Sequence, residues 1–256
     1  MNIGIVTFSQ SNDNYGEVLQ CYALYKYVQS KGHHCFLLRY EQMPYTNFAL
    51  KAFTLLSLIT NPQRLFSLLK KRRGKMIPHA TDNTDRKFFE FRSKKMECTA
   101  PLTKNEILEN PPKADAYICG SDQIWNTTAR DFSEAFFLPG ISKKSTYAVS
   151  CGSHLNEVDC DRICSAMEAF ENVSVREIDT REFLEKHTKR SIETVLDPTF
   201  LLTKEDYSGL YDKERILKEK YIFLYTINYD EDALKQTVRV AERLGGKIVT
   251  PFTGYS

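Results

Sequence analysis

The chain has 256 residues, of which 42% are hydrophobic and 27% are charged, and its formal net charge is +2. This balance is typical of an ordinary globular protein and excludes a disordered or fibrous chain. The length allows one large or two moderate α/β domains, and the near-neutral charge argues against the long basic surface of a nucleic-acid-binding protein.

The first forty residues predict a βαβ unit. An apolar run over residues 2–8 predicts a first strand and lacks the pattern of a signal peptide. Gly32 ends the helix that follows, and residues 35–40 predict a second strand. In such a unit the strands are parallel, so the loop at 9–16 is expected at the carboxyl end of the first strand. The apolar residues at helical spacing are Val18, Cys21, Tyr22, Tyr25 and Val28.

Residues 44–95 lack strand signals and predict a helical insertion. Its most apolar stretch, 48–59, is shorter than the ~20 residues of a membrane-spanning helix. Residues 66–75 combine apolar and basic side chains. They form either a solvated helix face or a surface that rests on anionic lipid, so at most peripheral contact with a membrane is expected.

Strand and helix signals then alternate up to residue 205, which predicts a doubly wound parallel sheet in a domain spanning 1–205. Residues 206–220 are expected to be a linker. Residues 221–256 predict the start of a second, truncated domain of the same kind, with a helix at 230–244 between two strands. The strands of the first domain are expected near 116–119, 145–150, 173–175 and 194–196, and its helices at 159–170 and 178–186.

Seven cysteines without the spacing of a disulfide framework or a zinc site indicate a reducing compartment. No metal is therefore expected. His154, which follows a predicted strand edge, is a weak candidate for the site. The other four histidines are expected at the surface.

Three residues at the start of the first helix, Asn14, Tyr15 and Gly16, are candidates for binding an anion or a sugar. Free backbone N–H groups and the helix dipole favour a ligand at this position. The alternative is that Asn14 only caps the helix and Gly16 only allows close packing. The loop has too few glycines for a dinucleotide-binding fingerprint.

The segment that follows the predicted strand at 116–119 has the composition of a binding loop. A glycine allows a tight turn, polar side chains can bind hydroxyl groups, and the single tryptophan offers a face to a sugar ring. The alternative places Trp125 in the core and makes Asp122 a helix cap. The candidates are Gly120, Ser121, Asp122, Gln123, Trp125 and Asn126.

Arg176 follows another short strand, where a guanidinium can bind a phosphate or a carboxylate with two hydrogen bonds. The alternative is an ordinary ion pair with Glu177 or Asp179. Asp197 ends a further strand and either orients Arg176 or bonds to its own proline turn.

Five motifs in this order resemble the polysaccharide pyruvyl transferase family: NYGEVLQ at 14–20, DAYICGSDQIWN at 115–126, STYAVSCG at 145–152, SVRE at 174–177 and VLDPT at 195–199. The resemblance implies two Rossmann-like domains arranged as in the GT-B glycosyltransferases, with the active site in the cleft between them. It also implies transfer of the enolpyruvyl unit of phosphoenolpyruvate onto a saccharide, with formation of a ketal.

The resemblance further implies a bacterial, cytoplasmic enzyme without a cofactor, acting at the inner face of the membrane if its acceptor is lipid-linked. Arg176 becomes the candidate anion clamp, Asp122 the candidate base or sugar ligand, and Glu177 and Asp197 candidate substrate-binding residues. The Ser-Phe-His-Gly-like segment of the family has no counterpart here. A nucleotide-sugar glycosyltransferase and a noncatalytic saccharide-binding remnant stay open as alternatives, as does self-association.

Overall fold

The computed structural model describes residues 1–10, 14–40, 82–129, 131–152, 155–211, 217–226 and 230–250, with side chains in the helix at 82–95 described from Arg86 onward. Most of the predicted helical insertion, including the basic stretch at 66–75, lies outside the described residues. His154 lies outside them as well.

The predicted βαβ unit is present at the start of the chain. Strand β1 is Asn2–Val6, helix α1 is Tyr15–Ser30 and strand β2 is His34–Leu37. The Asn14 side chain accepts a hydrogen bond from Glu17 N at 3.1 Å and so caps α1. Gly32 follows the helix with a φ of +81°, a backbone conformation that glycine adopts without strain.

Two further strands complete a four-stranded parallel sheet in the order β2-β1-β3-β4. Strand β1 pairs with β2 on one side and with β3 on the other, so the strand order reverses between β1 and β3. Ligands of open α/β sheets bind at the carboxyl ends of the strands at such a reversal. The elements of this part are α2 (Asp82–Lys95), α3 (Lys104–Glu109), β3 (Ala116–Cys119), a 3-10 helix (Glu134–Phe137) and β4 (Lys144–Thr146).

The strand direction continues beyond β4. Thr146 N donates to Asn172 O at 3.0 Å and Val149 N donates to Ser174 O at 3.2 Å, which places β5 beside the chain that follows β4. Strand β5 in turn pairs in parallel with β6. The elements here are α4 (Glu157–Met167), β5 (Ser174–Val175), α5 (Ile178–Leu184), β6 (Glu193–Thr194), a 3-10 helix (Pro198–Leu201) and α6 (Lys204–Tyr207).

The main core lies around these strands and the aromatic residues between β3 and β4. Its largest fully buried side chains include Trp125, Phe136, Ile163 and Met167. Lys144 is buried at the start of β4, where its Nζ donates to Phe137 O at 2.9 Å and to Leu138 O at 2.6 Å. These bonds satisfy two carbonyl groups at the end of the 3-10 helix, so this lysine has a packing role.

The chain divides into two compact units, and the first contains the described residues of Met1–Pro44 and Asp82–Tyr207. The described residues from Ser208 onward belong to the second unit. There β7 (Tyr221–Phe223) pairs in parallel with β8 (Lys247–Val249), and α7 (Glu231–Leu244) connects them. Asp230 caps the start of α7, and Gly245, with a φ of +61°, ends it.

The expected α/β class with a parallel sheet is confirmed, and the strands near 116–119 and 173–175 lie where they were expected. Helix α3 was not predicted, although Thr103 and Glu106 form a capping box that is visible in the sequence. The strand expected at 145–150 is regular only to Thr146. Among the described helices, none is long and apolar enough to cross a membrane.

Candidate active site

The carboxyl ends of β1, β3, β4 and β5 meet along one edge of the sheet, as predicted. Thr7 Oγ1, just after β1, donates to Ser121 O at 2.6 Å. Ser150 N donates to Asp122 O at 2.9 Å, and Arg176 N donates to Val149 O at 3.0 Å. The loops that carry the candidate residues are therefore connected to one another by hydrogen bonds to and from their backbones.

Gly120 and Ser121 allow the loop after β3 to lie close to β1. A Cβ at Gly120 would lie 3.0 Å from Leu24 Cδ2 and 3.1 Å from Thr7 Cβ, so a larger residue would push the loop outward. The Ser121 side chain is buried, and its Oγ donates to Asp197 Oδ2 at 3.4 Å. Both residues support the site from within the protein.

Asp122 has a φ of +74°, a left-handed conformation that is uncommon outside glycine. Its Oδ1 accepts a hydrogen bond from Gln123 N at 2.8 Å. Burial raises the pKa of this half-buried carboxyl, and the nearby Asp197 and Asp131 add to the rise, while the charge of Arg176 opposes it. A carboxylate with a raised pKa is a stronger base.

Arg176 lies between two carboxylates. Its Nε donates to Glu177 Oε1 at 2.9 Å and its Nη1 donates to Asp197 Oδ2 at 3.2 Å. These bonds raise the pKa of the guanidinium although burial alone would lower it. Neither bond uses Nη2, so this end of the guanidinium has no hydrogen-bond partner among the residues that the structure describes.

Asp197 fulfils both of the roles that the sequence left open. Its Oδ2 holds Arg176 and Ser121, while its Oδ1 accepts from Thr199 N at 2.9 Å and from Thr199 Oγ1 at 2.7 Å. Because both oxygens are engaged, the carboxylate has little freedom to rotate. It therefore fixes the position of the Arg176 guanidinium.

Gln123 and Asn126 extend the site on the outer side of the loop. Gln123 is exposed, and its Oε1 accepts from Asn126 Nδ2 at 3.0 Å. Asn126 Oδ1 accepts from the backbone N and the hydroxyl of Thr128. Gly152, with a φ of +75°, lies against Asn126, because a Cβ there would be 2.6 Å from Asn126 Nδ2.

Trp125 corrects the expectation of an exposed stacking face. The indole is fully buried, and its ring packs against Phe137 at a centroid distance of 5.4 Å and against Phe170 at 5.5 Å. With no face open to a ligand, it fills the core beneath the loop. The sequence left this alternative open, and the physical reason is the large apolar area that an indole removes from water.

The start of α1 lies at the same edge. Asn14 caps the helix, and Gly16 leaves space for the cap, because a Cβ there would be 3.3 Å from Asn14 Oδ1. Tyr15 is exposed and packs against Phe88 at a centroid distance of 4.8 Å.

Four residues of this edge were missed by the sequence reasoning: Thr7, Gln20, Gly152 and Thr199. A polar residue in an apolar run or in an amphipathic helix carries no signal of its own. Thr199 could have been found from the Asp-Pro-Thr turn, in which an Asp side chain commonly bonds two residues ahead. Among the described residues, no group of three or more His, Cys, Asp or Glu side chains could hold a metal ion.

Comparison with known proteins supports the resemblance seen in the motifs. A sequence model of the family described as polysaccharide pyruvyl transferase matches residues 14–254. No curated protein and no solved structure matches the chain significantly. The family match includes the cap of α1, the loop after β3 and the group formed by Arg176, Glu177 and Asp197. The chain belongs to the polysaccharide pyruvyl transferase family.

Proposed function

We propose that the protein transfers the enolpyruvyl unit of phosphoenolpyruvate onto two hydroxyl groups of a saccharide and closes a pyruvate ketal. The observation that carries the proposal is the position of Asp122 and the anchored guanidinium of Arg176 at the carboxyl edge of the sheet, in a chain of this family, with burial raising the pKa of the Asp122 carboxyl. A base and a cation are two of the groups that the chemistry needs.

The proposed reaction balances without an oxidant or a reductant. One saccharide hydroxyl oxygen bonds to C2 of phosphoenolpyruvate, while the C3 methylene of phosphoenolpyruvate gains a proton and becomes a methyl group. The second hydroxyl oxygen bonds to the same carbon, and the C2–O bond to phosphate breaks. Of the two hydroxyl protons, one balances the new methyl group and the other leaves with the phosphate.

Asp122 suits the role of the base that accepts a hydroxyl proton. Its raised pKa makes it more basic than an ordinary carboxylate, and it is still accessible because it is only half-buried. Its left-handed backbone costs about 1–2 kcal/mol, and the Gln123 N–H fixes one oxygen, which leaves the other oxygen for the substrate. Strained backbone held by its surroundings is common at functional sites.

Arg176 suits the role of a positioned hydrogen-bond donor to the anionic substrate. Glu177 and Asp197 hold its Nε and Nη1, and the Nη2 end is left for a phosphate or carboxylate oxygen. Because the same carboxylates offset the positive charge of Arg176, this residue supplies a hydrogen-bond donor in a fixed position more than it supplies net positive charge. The remaining charge of phosphoenolpyruvate requires further cationic groups outside this cluster.

The proposal includes the wider context of the family. A second Rossmann-like domain in a GT-B-like arrangement would complete the active-site cleft. The reaction would need no cofactor. The acceptor would be a bacterial polysaccharide precursor, free or lipid-linked, at the cytoplasmic face of the membrane. Asn14, Tyr15, Gly16, Gln123 and Asn126 would then bind saccharide hydroxyl groups.

The test is to incubate the purified protein with phosphoenolpyruvate and a panel of alkyl glycosides and to measure phosphate release. The ketal methyl group gives a proton NMR singlet that phosphoenolpyruvate lacks. The Asp122→Asn variant is the control, and it should release phosphate about 10²- to 10⁴-fold more slowly than the wild type. Nucleotide release from a nucleotide sugar, without phosphate from phosphoenolpyruvate, would favour a glycosyltransferase instead.

A further inference from the structure

Gln20 is a polar residue buried in α1, where its side chain is only 2% exposed. Its Nε2 lies within hydrogen-bond distance of three oxygens: Thr7 Oγ1 at 3.1 Å, Phe8 O at 3.1 Å and Glu17 O at 2.9 Å. Three acceptors around one amide nitrogen fix the orientation of the carboxamide. The side chain thus joins the segment after β1 to the first turn of α1.

The contact to Thr7 continues across the edge of the sheet. Thr7 Oγ1 donates to Ser121 O at 2.6 Å, and Ser121 Oγ donates to Asp197 Oδ2 at 3.4 Å. The same Asp197 oxygen accepts from Arg176 Nη1 at 3.2 Å. Hydrogen bonds on either side of Ser121, one to its backbone carbonyl and one from its hydroxyl, therefore connect Gln20 in α1 to the guanidinium of Arg176.

The carboxamide oxygen of Gln20 lowers the stability of the folded protein. This oxygen, Oε1, is buried and has no hydrogen-bond partner among the described residues. An unsatisfied buried acceptor destabilises a protein by about 1–3 kcal/mol, and an apolar side chain of similar length would avoid that cost. We therefore attribute the contribution of Gln20 to its contacts with Thr7 and Phe8, which lie just after β1 at the edge of the sheet.

We propose that Gln20 is a positioning residue, which acts through Thr7 and Ser121 to hold the Asp197–Arg176 pair in the geometry that pyruvyl transfer requires. The kinetic part of this proposal rests on the proposed function, whereas its structural part does not. Gln20 itself need not touch either substrate.

The test compares Gln20→Met with the matched control Gln29→Met. Both glutamines belong to α1, but Gln29 contacts Tyr25 and Lys26, away from the carboxyl edge. The first readout is the proton–nitrogen NMR signal of the Arg176 Nε–H group, assigned with an Arg176→Ala sample. We expect the signal to shift in Gln20→Met and to stay in place in Gln29→Met.

The second readout is steady-state kinetics. Gln20→Met should lower kcat and raise KM for phosphoenolpyruvate, with a combined loss in kcat/KM of about ten- to a hundredfold, because a misplaced Arg176 guanidinium holds this substrate less well in both the ground state and the transition state. Gln29→Met should keep the wild-type kcat. Thr7→Val removes the hydroxyl that contacts both Gln20 and Ser121 and keeps the shape of the side chain, so it should reproduce both effects. This variant replaces Gln20→Met in the test if Gln20→Met folds poorly.

An unshifted Arg176 signal in both Gln20→Met and Thr7→Val would overturn the proposal. So would a loss of kcat that only follows the unfolded fraction measured by thermal denaturation. If the wild-type protein transfers no pyruvate, the proposed function fails, but the NMR comparison still decides whether Gln20 positions Arg176.

Discussion

Arg176 shows how a charged residue can be held in place before a ligand binds. Its side chain is 28% exposed, and its ion-pair partners Glu177 and Asp197 are 36% and 22% exposed, so water screens these pairs in part. The pairs therefore add little stability but restrict the guanidinium. A restricted donor loses less entropy on binding than a free one.

Replacement of Arg176 by Ala should weaken phosphoenolpyruvate binding about ten- to a hundredfold, which corresponds to the roughly 1.5–3 kcal/mol of a charge-assisted contact. Arg176→Lys should restore only part of the affinity, because an ammonium group lacks the planar fork. Calorimetric titration measures both.

The control for this experiment is Arg162→Ala, which removes a surface ion pair with Glu134 and a contact with the Phe132 ring, neither of them a candidate site residue. Equal phosphoenolpyruvate affinities of the wild type and a well-folded Arg176→Ala protein would show that Arg176 only pairs with its neighbouring acids.

Asp122 gives a prediction about pH. Because its pKa is raised, the folded protein binds this proton more tightly than the unfolded chain does. Stability is therefore lost as pH rises from the ordinary value of 3.8 through the folded-state pKa, and the loss persists at neutral pH. Asp122→Asn removes this loss, and asparagine tolerates the left-handed backbone well.

Asp122→Asn should thus be more stable than the wild type at neutral pH, and the difference should vanish below about pH 3.8. Its transferase activity should fall about 10²- to 10⁴-fold if Asp122 is the base. Thermal denaturation across the pH range and an activity assay check the two effects. An equal or lower melting temperature at neutral pH would contradict the assigned cost of ionisation.

At the scale of elements, the segment after β4 depends on a left-handed glycine. Gly152→Ala should destabilise the protein by about 1–3 kcal/mol beyond the backbone cost alone, because the new methyl group would overlap the Asn126 amide. Gly140→Ala is the matched control: its φ is +80°, yet no atom lies within 4 Å of the added Cβ.

Chemical denaturation gives the difference in unfolding free energy between the two variants. Similar values would mean that Asn126 moves aside without cost. In that case the Gln123–Asn126 pair would be less firmly held than its geometry indicates.

The loop after β3 is anchored by Trp125, which is the single tryptophan of the chain. Its fluorescence should be blue-shifted and protected from acrylamide in the native protein and should respond little to saccharide. Trp125→Ala should cost about 3–5 kcal/mol of stability, as for other large core residues. Native fluorescence that is readily quenched would contradict the buried position.

The strands and helices were largely predictable because their signals are local. Helix α1 follows from its apolar spacing, and β3 follows from its apolar run before Gly120. The strand predicted at 145–150 was too long, because regular strand pairing stops at Thr146. Where it stops depends on the tertiary pairing of Val149, which no local signal in the sequence shows. Trp125 was ambiguous because residue type alone does not reveal which side of a loop faces the core.

At the scale of the whole molecule, the α/β class with a parallel sheet was predictable while the polar contacts across the sheet edge were not. The alternation of strands and helices restricts the connections to a few right-handed arrangements. The chain of contacts from Gln20 to Arg176 joins residues 156 positions apart in the printed sequence, and no local pattern indicates it.

The second unit exposes large apolar side chains. Phe223 is 57% exposed and Leu244 is 53% exposed. Large apolar side chains exposed to water favour association. We therefore expect concentration-dependent self-association, which Phe223→Ser should weaken relative to Phe89→Ser, a control at an exposed phenylalanine of the first unit. Sedimentation velocity measures it, and a wild-type monomer at every concentration would contradict this expectation.

The loop after β3 has a consequence for changing substrate preference. Its inward side chains Ile124 and Trp125 are fully buried, whereas Gln123 is exposed and Asn126 is partly exposed. The buried residues that anchor the loop are therefore separate from Gln123, which faces outward, whereas Asn126 is partly exposed and also holds the loop through Thr128. On the proposed function, in which this loop binds the acceptor, randomising position 123 would sample new acceptor sugars at little cost in folding, and a lineage could change its polysaccharide through this one codon while the framework beneath it stays the same.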